Sequence, residues 1–428
     1  MRTKYIGLII IVASILLYPS QDRSSYIIGK VVDLYTGLPI KEAVITLNGD
    51  VTLTNENGMF FIKAGRKELY VRAYGYLRAE HDITAPFLIT MPLILKLAPF
   101  QPKALYLTVY GIGDRHLREA ALTLIEDTEL NALVIDVKGD RGIIPYESSI
   151  PLASEIGAQK VITVRDIRGL LKTFREKGIY TIARIVVFKD PLLAQARHDL
   201  AIKTRSGAIW RDREDLAWVE PAKKEVWNYN IDVAMEAARL GFDEIQFDYV
   251  RFPDAAGLEF SVPDTQENRT GAVNGFLMEA KKKLAPYNVF LAADIFGYVC
   301  WNLNDTFIGQ KIEDLPPLLD YISPMLYPSG FQFGIPGYRN PVAHSHEIVY
   351  LSLQRAAERT DIPHVRFRPW LQAFQDYAYD RRDFTGKEIR AQINAAEKFG
   401  SDGWMLWNPH NIYSPDGLKE KDNRRRPH

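Results

Sequence analysis

From Lys103 onward the chain repeats one pattern, a short apolar run followed by a stretch with helical spacing. The apolar runs are Ala104–Tyr110, Ala132–Val137, Tyr180–Phe188, Glu244–Tyr249, Val289–Ile295, Tyr321–Leu326, Phe367–Phe374 and Gly403–Trp407. The clearest helical stretch is Val164–Gly178, where Ile167, Leu170, Leu171 and Phe174 recur at i, i+3, i+4 and i+7. Arg115–Glu129, Glu225–Leu240, Ala272–Leu284, His346–Arg359 and Lys387–Phe399 read the same way. The stretch after the fifth run is poor, with Pro316 and Pro317 near its end, and the one after the eighth is short and basic. Eight strand-then-helix units in series predict a parallel (β/α)8 barrel with a few long loops. A doubly wound open sheet is the runner-up. It would carry a glycine-rich phosphate loop after its first strand, and Tyr110-Gly111-Ile112-Gly113 is only a fragment of one.

The centre of the pattern is Gly241–Pro253, GFDEIQFDYVRFP. Gly241 reads as a helix stop. Beyond it the residues alternate: Ile245, Phe247 and Tyr249 fall on one side, Glu244, Gln246 and Asp248 on the other. Aspartate is depleted in strands, so Asp248 at a strand end asks for a reason. A catalytic carboxylate at the rim of a sheet is one; a salt bridge to Arg251 or a loop cap is the other. Asp136 and Asp294 end the second and fifth runs in the same way, opposite Ile135 and Ala293.

In a barrel, side chains at the C-terminal strand ends converge on one pocket. The runs deliver Asp136 and Lys138, Arg184, Asp248 with Tyr249 and Arg251, Asp294, Tyr327, Trp370 with Gln372, and Trp407 with Asn408. The rim is also rich in aromatics, adding Phe252, Phe296, Tyr298 and Trp301. Sugar rings present flat C–H faces that pack on aromatic rings, while their hydroxyls bond polar groups. For each aromatic taken alone, core or loop packing is the competing reading. Cleaving a glycosidic bond takes two carboxyl groups, one to protonate the leaving oxygen and one to attack or to activate water. Asp248 and Asp294, on successive strands, are the expected pair. Asp136 and Lys138 are expected to position substrate, Arg251 to hold Asp248 ionised, and Tyr327 to donate to a sugar hydroxyl.

Residues 103–413 resemble a TIM-barrel family of glycoside hydrolases long catalogued as a domain of unknown function. The matching strings are VIDVKGD (134–140), GFDEIQFDYVRFP (241–253), AADIFG (292–297), ISPMLYP (322–328) and GWMLWNP (403–409). More remotely, the family is similar to barrel glycosidases with an aspartate at the fourth strand and an acid at the fifth. That likeness implies Asp248 as nucleophile or base and Asp294 as proton donor. Many such relatives use glutamate as the acid, so Glu220, in the loop Trp218–Pro221, stands as a substitute donor; its alternative is a charge at a helix N-terminus.

Residues 26–97 read as a small all-β sandwich, with runs Ile27–Val32, Ala43–Asn48, Met59–Ile62 and Leu69–Ala73 between turn residues. The strings Gly29–Asp33, Thr36-Gly37-Leu38-Pro39, Ala43–Leu47, Thr54–Phe60 and Gly75-Tyr76 resemble the carboxypeptidase regulatory-like domain, with Ile45 where that pattern has valine. The resemblance implies a spacer or stabilising module. Ala98–Pro102 reads as a linker and residues 414–428 as a basic tail.

Met1-Arg2-Thr3-Lys4 precedes a run from Tyr5 to Tyr18 that is apolar but for Ser14. Residues 1–20 therefore read as an export signal, either cleaved or kept as a membrane anchor, and place the protein outside the cytoplasmic membrane. Lysine plus arginine equals aspartate plus glutamate at 53 each, so no global charge draws the chain to nucleic acid. The single cysteine, Cys300, excludes an intrachain disulfide and reads as a buried thiol. No Gly-x-Ser-x-Gly elbow occurs, which sets aside a serine hydrolase. The close histidines His344 and His346 lack a strand-end companion, so no metal and no cofactor is expected. The expected partner is a carbohydrate. A non-catalytic glycan-binding protein on the same scaffold is the alternative, and the oligomeric state is left open.

Overall fold

The structure is a computed structural model that describes residues 26–64, 68–83 and 92–421. The apolar run Tyr5–Tyr18 and residues 422–428 lie outside these. Chain contacts divide at Phe100–Gln101 into two compact units.

Among its described residues the first unit holds seven strands, β1 (Tyr26–Asp33), β2 (Val44–Leu47), β3 (Asp50–Leu53), β4 (Met59–Lys63), β5 (Glu68–Arg72), β6 (Ala79–Asp82) and β7 (Leu93–Leu97). They form two sheets, β4-β1-β7 and β3-β2-β5-β6. Alternate residues of each, among them Val31, Ile45, Leu47, Leu69, Val71 and Leu95, close one apolar core. The motif residues have structural work. Asp33 accepts from the backbone N–H of Tyr35 and Thr36 and from the Tyr76 hydroxyl at 3.1 Å, which ties the first turn to the Gly75-Tyr76 corner. Gly58 sits at φ 71° with the Val31 carbonyl 2.5 Å from where a Cβ would stand, so a side chain there would break the turn.

The second unit is an eight-stranded parallel closed barrel. Its strands are β8 (Lys103–Leu107), β9 (Ala132–Lys138), β10 (Tyr180–Val186), β12 (Glu244–Asp248), β14 (Phe290–Phe296), β15 (Tyr321–Met325), β16 (Trp370–Gln372) and β17 (Trp404–Trp407). A two-residue ribbon, β11 (Lys203–Thr204) with β13 (Leu258–Glu259), joins two of the rim loops. Helices Arg115–Asp127, Ile167–Glu176, Lys224–Leu240, Gln266–Leu284, Ser345–Thr360 and Gly386–Phe399 flank it. After β14 stand only short 3-10 turns, Gly297–Cys300 and Ile312–Asp314, where the Pro316-Pro317 pair made a poor helix. Cys300 is fully buried there and burial pushes its thiol up to about 12. Among the described residues no helix is long and apolar enough to cross a membrane.

Alternation decides what the barrel holds. Ile245 and Phe247 of β12 face outward into the helix layer, Phe247 meeting Phe276 at 4.9 Å, a burial that stabilises by about 2–3 kcal/mol. Glu244, Gln246 and Asp248 face inward, so the polar side of the strand is the barrel interior. The interior is accordingly ionic rather than oily. Near its N-terminal end Arg368 donates to Glu244 at 2.5 Å and to Asp402 at 2.8 Å, with Tyr180 also on Glu244. In the next layer Gln246 donates to Ser323 at 3.1 Å. Charges buried this deeply hold only because each has a partner.

Candidate active site on the barrel rim

The top layer of the interior is built around Arg184. This β10 residue is fully buried, and its neighbours in register are Asp136 of β9 and Gln246 of β12. Its Nη1 donates to Asp136 Oδ1 at 2.6 Å. Its Nε and Nη2 donate to Asp248 Oδ2 at 2.9 and 2.5 Å. Tyr106 of β8 completes Asp136, donating to Oδ2 at 2.7 Å. The Asp136 carboxyl is nonetheless pushed up to about 6, because burial outweighs the arginine and the tyrosine.

Asp294 is treated differently. It follows Ala293, which pairs with Phe247, so Asp248, the last residue of β12, and Asp294, two residues before the end of β14, stand side by side on neighbouring strands. Asp294 is 1% exposed. Trp370 Nε1 donates to its Oδ1 at 2.7 Å, and its Oδ2 is buried with no partner. Burial first, and the charge of Asp248 second, push its carboxyl well above the usual carboxylate range. Two carboxyl groups, Asp136 and Asp248, thus share the one guanidinium, and Asp294 beside them is bonded to an indole instead.

Tyr249 follows Asp248 at φ 48°, in the left-handed region that a bulky residue avoids. Its N–H donates to Asp248 Oδ1 at 2.6 Å. The reversal takes Tyr249 off the outward face shared by Ile245 and Phe247 and brings it into a pocket of about 240 Å³. That pocket is also lined by Tyr106, Asp136, Asp140, Arg184 and Trp407. Trp407 stacks on Tyr106 at 3.9 Å and under the Arg184 guanidinium at 4.8 Å. Tyr327 stands half-buried beside the same acids, and burial, then the charges of Asp294 and Asp248, push its hydroxyl up. The pocket reaches Asp136 and Arg184; Asp248 and Asp294 are not part of its wall.

Other expected site residues are spent elsewhere. Arg251 is not the partner of Asp248: its guanidinium lies over the rings of Trp218 and Tyr249 at 5.1 and 5.3 Å, with Nη1 on the Phe252 carbonyl. Lys138 does not reach the pocket. The β9–β10 register shifts between Arg184 and Ile185, passing over Val137, and this bulge turns the fully buried Lys138 outward onto Asp190 at 2.6 Å. Gln372 is buried and bonded to Ser329 and to the Phe374 carbonyl. Asn408 ties its own loop, through the Ile412 carbonyl, to the end of β16, through the Ala373 carbonyl. Glu220 accepts from the Ser261 N–H at 2.8 Å and is raised by burial, but none of the strand-end acids contacts it. Phe252 is core-buried, and Trp370, equally buried, serves the site only as the donor to Asp294.

Sequence reasoning missed Tyr106, Asn411 and Tyr413. Asn411, at φ 58°, bonds the Thr108 N–H and hydroxyl, and the Tyr413 hydroxyl donates to the Tyr106 carbonyl at 2.8 Å. The signal for Tyr106 was present: it alternates inward between Leu105 and Leu107 of the first strand. Among the described residues no group of three or more His, Cys, Asp or Glu is arranged to hold a metal ion.

A family model described as "Putative glycosyl hydrolase domain" matches residues 104–413. A hypothetical protein from Ruminiclostridium thermocellum, known from its crystal structure, is 40% identical over 44% of this chain and 96% of that one, with a TM-score of 0.40. The glycoside hydrolase domain of PgaB (BpsB) from Bordetella bronchiseptica is similar in fold, at 14% identity and a TM-score of 0.53 over 73% of this chain and 95% of that one. No curated protein sequence matches. By the span of its match, which includes every strand of the barrel, this chain belongs to the glycosyl hydrolase-domain family that the model describes.

Proposed function

We propose that the barrel hydrolyses a glycosidic bond in a polysaccharide or cell-surface glycan, with Asp248 as nucleophile or general base and Asp294 as proton donor. One observation carries the reading. Arg184 is bonded to Asp136 and Asp248, whereas Asp294 beside them has a lone N–H donor and a raised affinity for its proton. A carboxyl group bonded to a buried guanidinium, beside one that burial makes hold its proton, fits a base working with an acid. Neighbouring strands stand ~4.8 Å apart, which suits the ~5–9.5 Å between the carboxyls of retaining and inverting glycosidases. Asp294 protonates the leaving oxygen, and Asp248 attacks the anomeric carbon or takes a proton from water. Asp136 fixes Arg184, and the faces of Trp407 and Tyr249 receive the sugar.

A second reading is a non-catalytic glycan-binding protein, and the 1% exposure of Asp294 favours it. Binding needs the aromatic rim but not the acid pair. The two separate on Asp248→Asn: hydrolysis of a polysaccharide panel disappears under the first reading, and binding without turnover in both forms supports the second. We also place the protein outside the cytoplasmic membrane, on the cation-led apolar run Tyr5–Tyr18. Cell fractionation with N-terminal sequencing of the recovered protein tests this, and a cytoplasmic pool beginning at Met1 contradicts it.

A further inference from the structure

Large rings stand in water at the end of β14 and on the loops that follow β15 and β16. Phe333 is 81% exposed, Tyr377 51% and Phe296 36%. Exposed rings scattered singly are ordinary, but these three ride on the rim of the active-site candidate and are fixed there by bonds and ring contacts, which together point to a ligand.

They are held stiffly. The Tyr298 hydroxyl accepts from the Phe333 N–H at 2.8 Å and donates to the Gly334 carbonyl at 3.2 Å. Its ring lies 5.9 Å from Phe296 and 6.4 Å from Phe333. On the next loop the Asp376 carboxylate accepts backbone N–H bonds from Ala378, Tyr379, Asp380 and Arg381, and the Ser329 hydroxyl at 2.6 Å. The Tyr379 hydroxyl donates to the Phe331 carbonyl at 2.6 Å. These bonds lock the β15 and β16 loops together. Tyr377 stacks on Phe374 at 6.2 Å and 8°, and Phe374 meets Tyr327 edge-on at 5.6 Å. Tyr327 is the tyrosine that feels the charges of Asp248 and Asp294. A line of rings therefore runs from the acids out to the open rim.

Resting on the function proposed above, we propose that Phe333 and Tyr377, with Phe296, form an outer platform for a polysaccharide chain, so that the substrate is a polymer gripped several sugars from the bond that breaks. The pocket supports this. At about 240 Å³ it is smaller than the ~300–1,000 Å³ usual for a ligand site, so affinity for a long chain has to come from outside it. Rigid, singly presented aromatic faces suit the repeated C–H faces of a sugar polymer. They suit a protein partner less, since that would call for a continuous apolar patch.

The test is retardation in native gels containing hydroxyethyl cellulose, arabinoxylan, galactomannan, pullulan or glycol chitin, for wild type, Phe333→Ala, Tyr377→Ala, the double variant and Asp248→Asn. Both rings are exposed, so the variants keep the wild-type Tm. The expected result is a polysaccharide that retards wild type and Asp248→Asn alike, with affinity about three- to tenfold weaker for each ring removed. Unchanged retardation in the double variant overturns the platform, as does a panel that retards nothing. Flotation of wild type, but not the double variant, with phosphatidylglycerol vesicles also overturns it, making the face a membrane surface. Retardation lost in the ring variants with no hydrolysis by wild type leaves the platform standing and removes the catalytic reading. Hydrolysis with kcat/KM unchanged on the polymer in the double variant does the reverse.

Discussion

Arg184 grips Asp248 with two nitrogens, Nε at 2.9 Å and Nη2 at 2.5 Å, and holds Asp136 with the third. All three side chains are nearly sealed from water. In so dry a setting a guanidinium shared by two carboxylates sets both the geometry and the charge balance of the rim.

Removing that cation is expected to cost more than removing either partner. Arg184→Met leaves Asp136 and Asp248 facing each other uncompensated and should lower unfolding free energy by about 3–5 kcal/mol, with Arg184→Lys losing less because it keeps the charge but not the fork. Urea denaturation measures this. A change below about 1 kcal/mol for Arg184→Met would show that the triad is not what holds the rim.

The raised Asp136 carboxyl gives a pH signature. A group that holds its proton more tightly when folded contributes stability in full below its unfolded value of 3.8, and that stability is lost as pH rises through about 6. Wild-type Tm should therefore fall more steeply than that of Asp136→Asn across this interval. Parallel Tm curves for the two proteins would contradict the assignment.

Trp370 tunes the proposed acid. Its indole N–H favours the ionised form of Asp294, so Trp370→Phe should strengthen the acid's hold on its proton. Activity that depends on protonated Asp294 fails as pH rises through that group. The basic limb of the kcat/KM profile should accordingly move to higher pH in Trp370→Phe. A limb that stays in place, or moves down, assigns it to another group.

The rim loops depend on Asp376. Asp376→Ala strips four backbone N–H groups and the Ser329 hydroxyl of their acceptor, and Gln372 then loses its anchored partner. Amide exchange should rise about tenfold or more across residues 328–334 and 374–381 while the barrel strands stay protected. Unchanged exchange in those loops would mean that the ring contacts alone hold them.

Much of this architecture was legible because period-2 and period-3.6 patterns are written residue by residue. Asp136, Asp248 and Asp294 were placed at strand ends; all three do face inward, but only Asp248 closes its strand, since β9 and β14 run two residues beyond Asp136 and Asp294. The same alternation misplaced Tyr249, because its left-handed φ belongs to the turn rather than the strand. It misplaced Lys138, because a one-residue bulge at Val137 reverses every side chain beyond it. Arg251 looked like the partner of Asp248 because it is near in sequence. The true partner, Arg184, is a neighbour only once β10 and β12 pair. Gln372 and Asn408 looked free for sugar because sequence does not reveal which carbonyls and hydroxyls a loop will bring to an amide.

The central claim is that Asp248 and Asp294 divide base and acid between them. The direct measurement is reducing-end release from the polysaccharide panel by wild type, Asp248→Asn and Asp294→Asn, with binding followed on the same gels. The account predicts a polysaccharide that wild type cleaves, both variants bind, and each variant cleaves at least about a hundredfold more slowly. Cleavage by Asp248→Asn at the wild-type rate would contradict it.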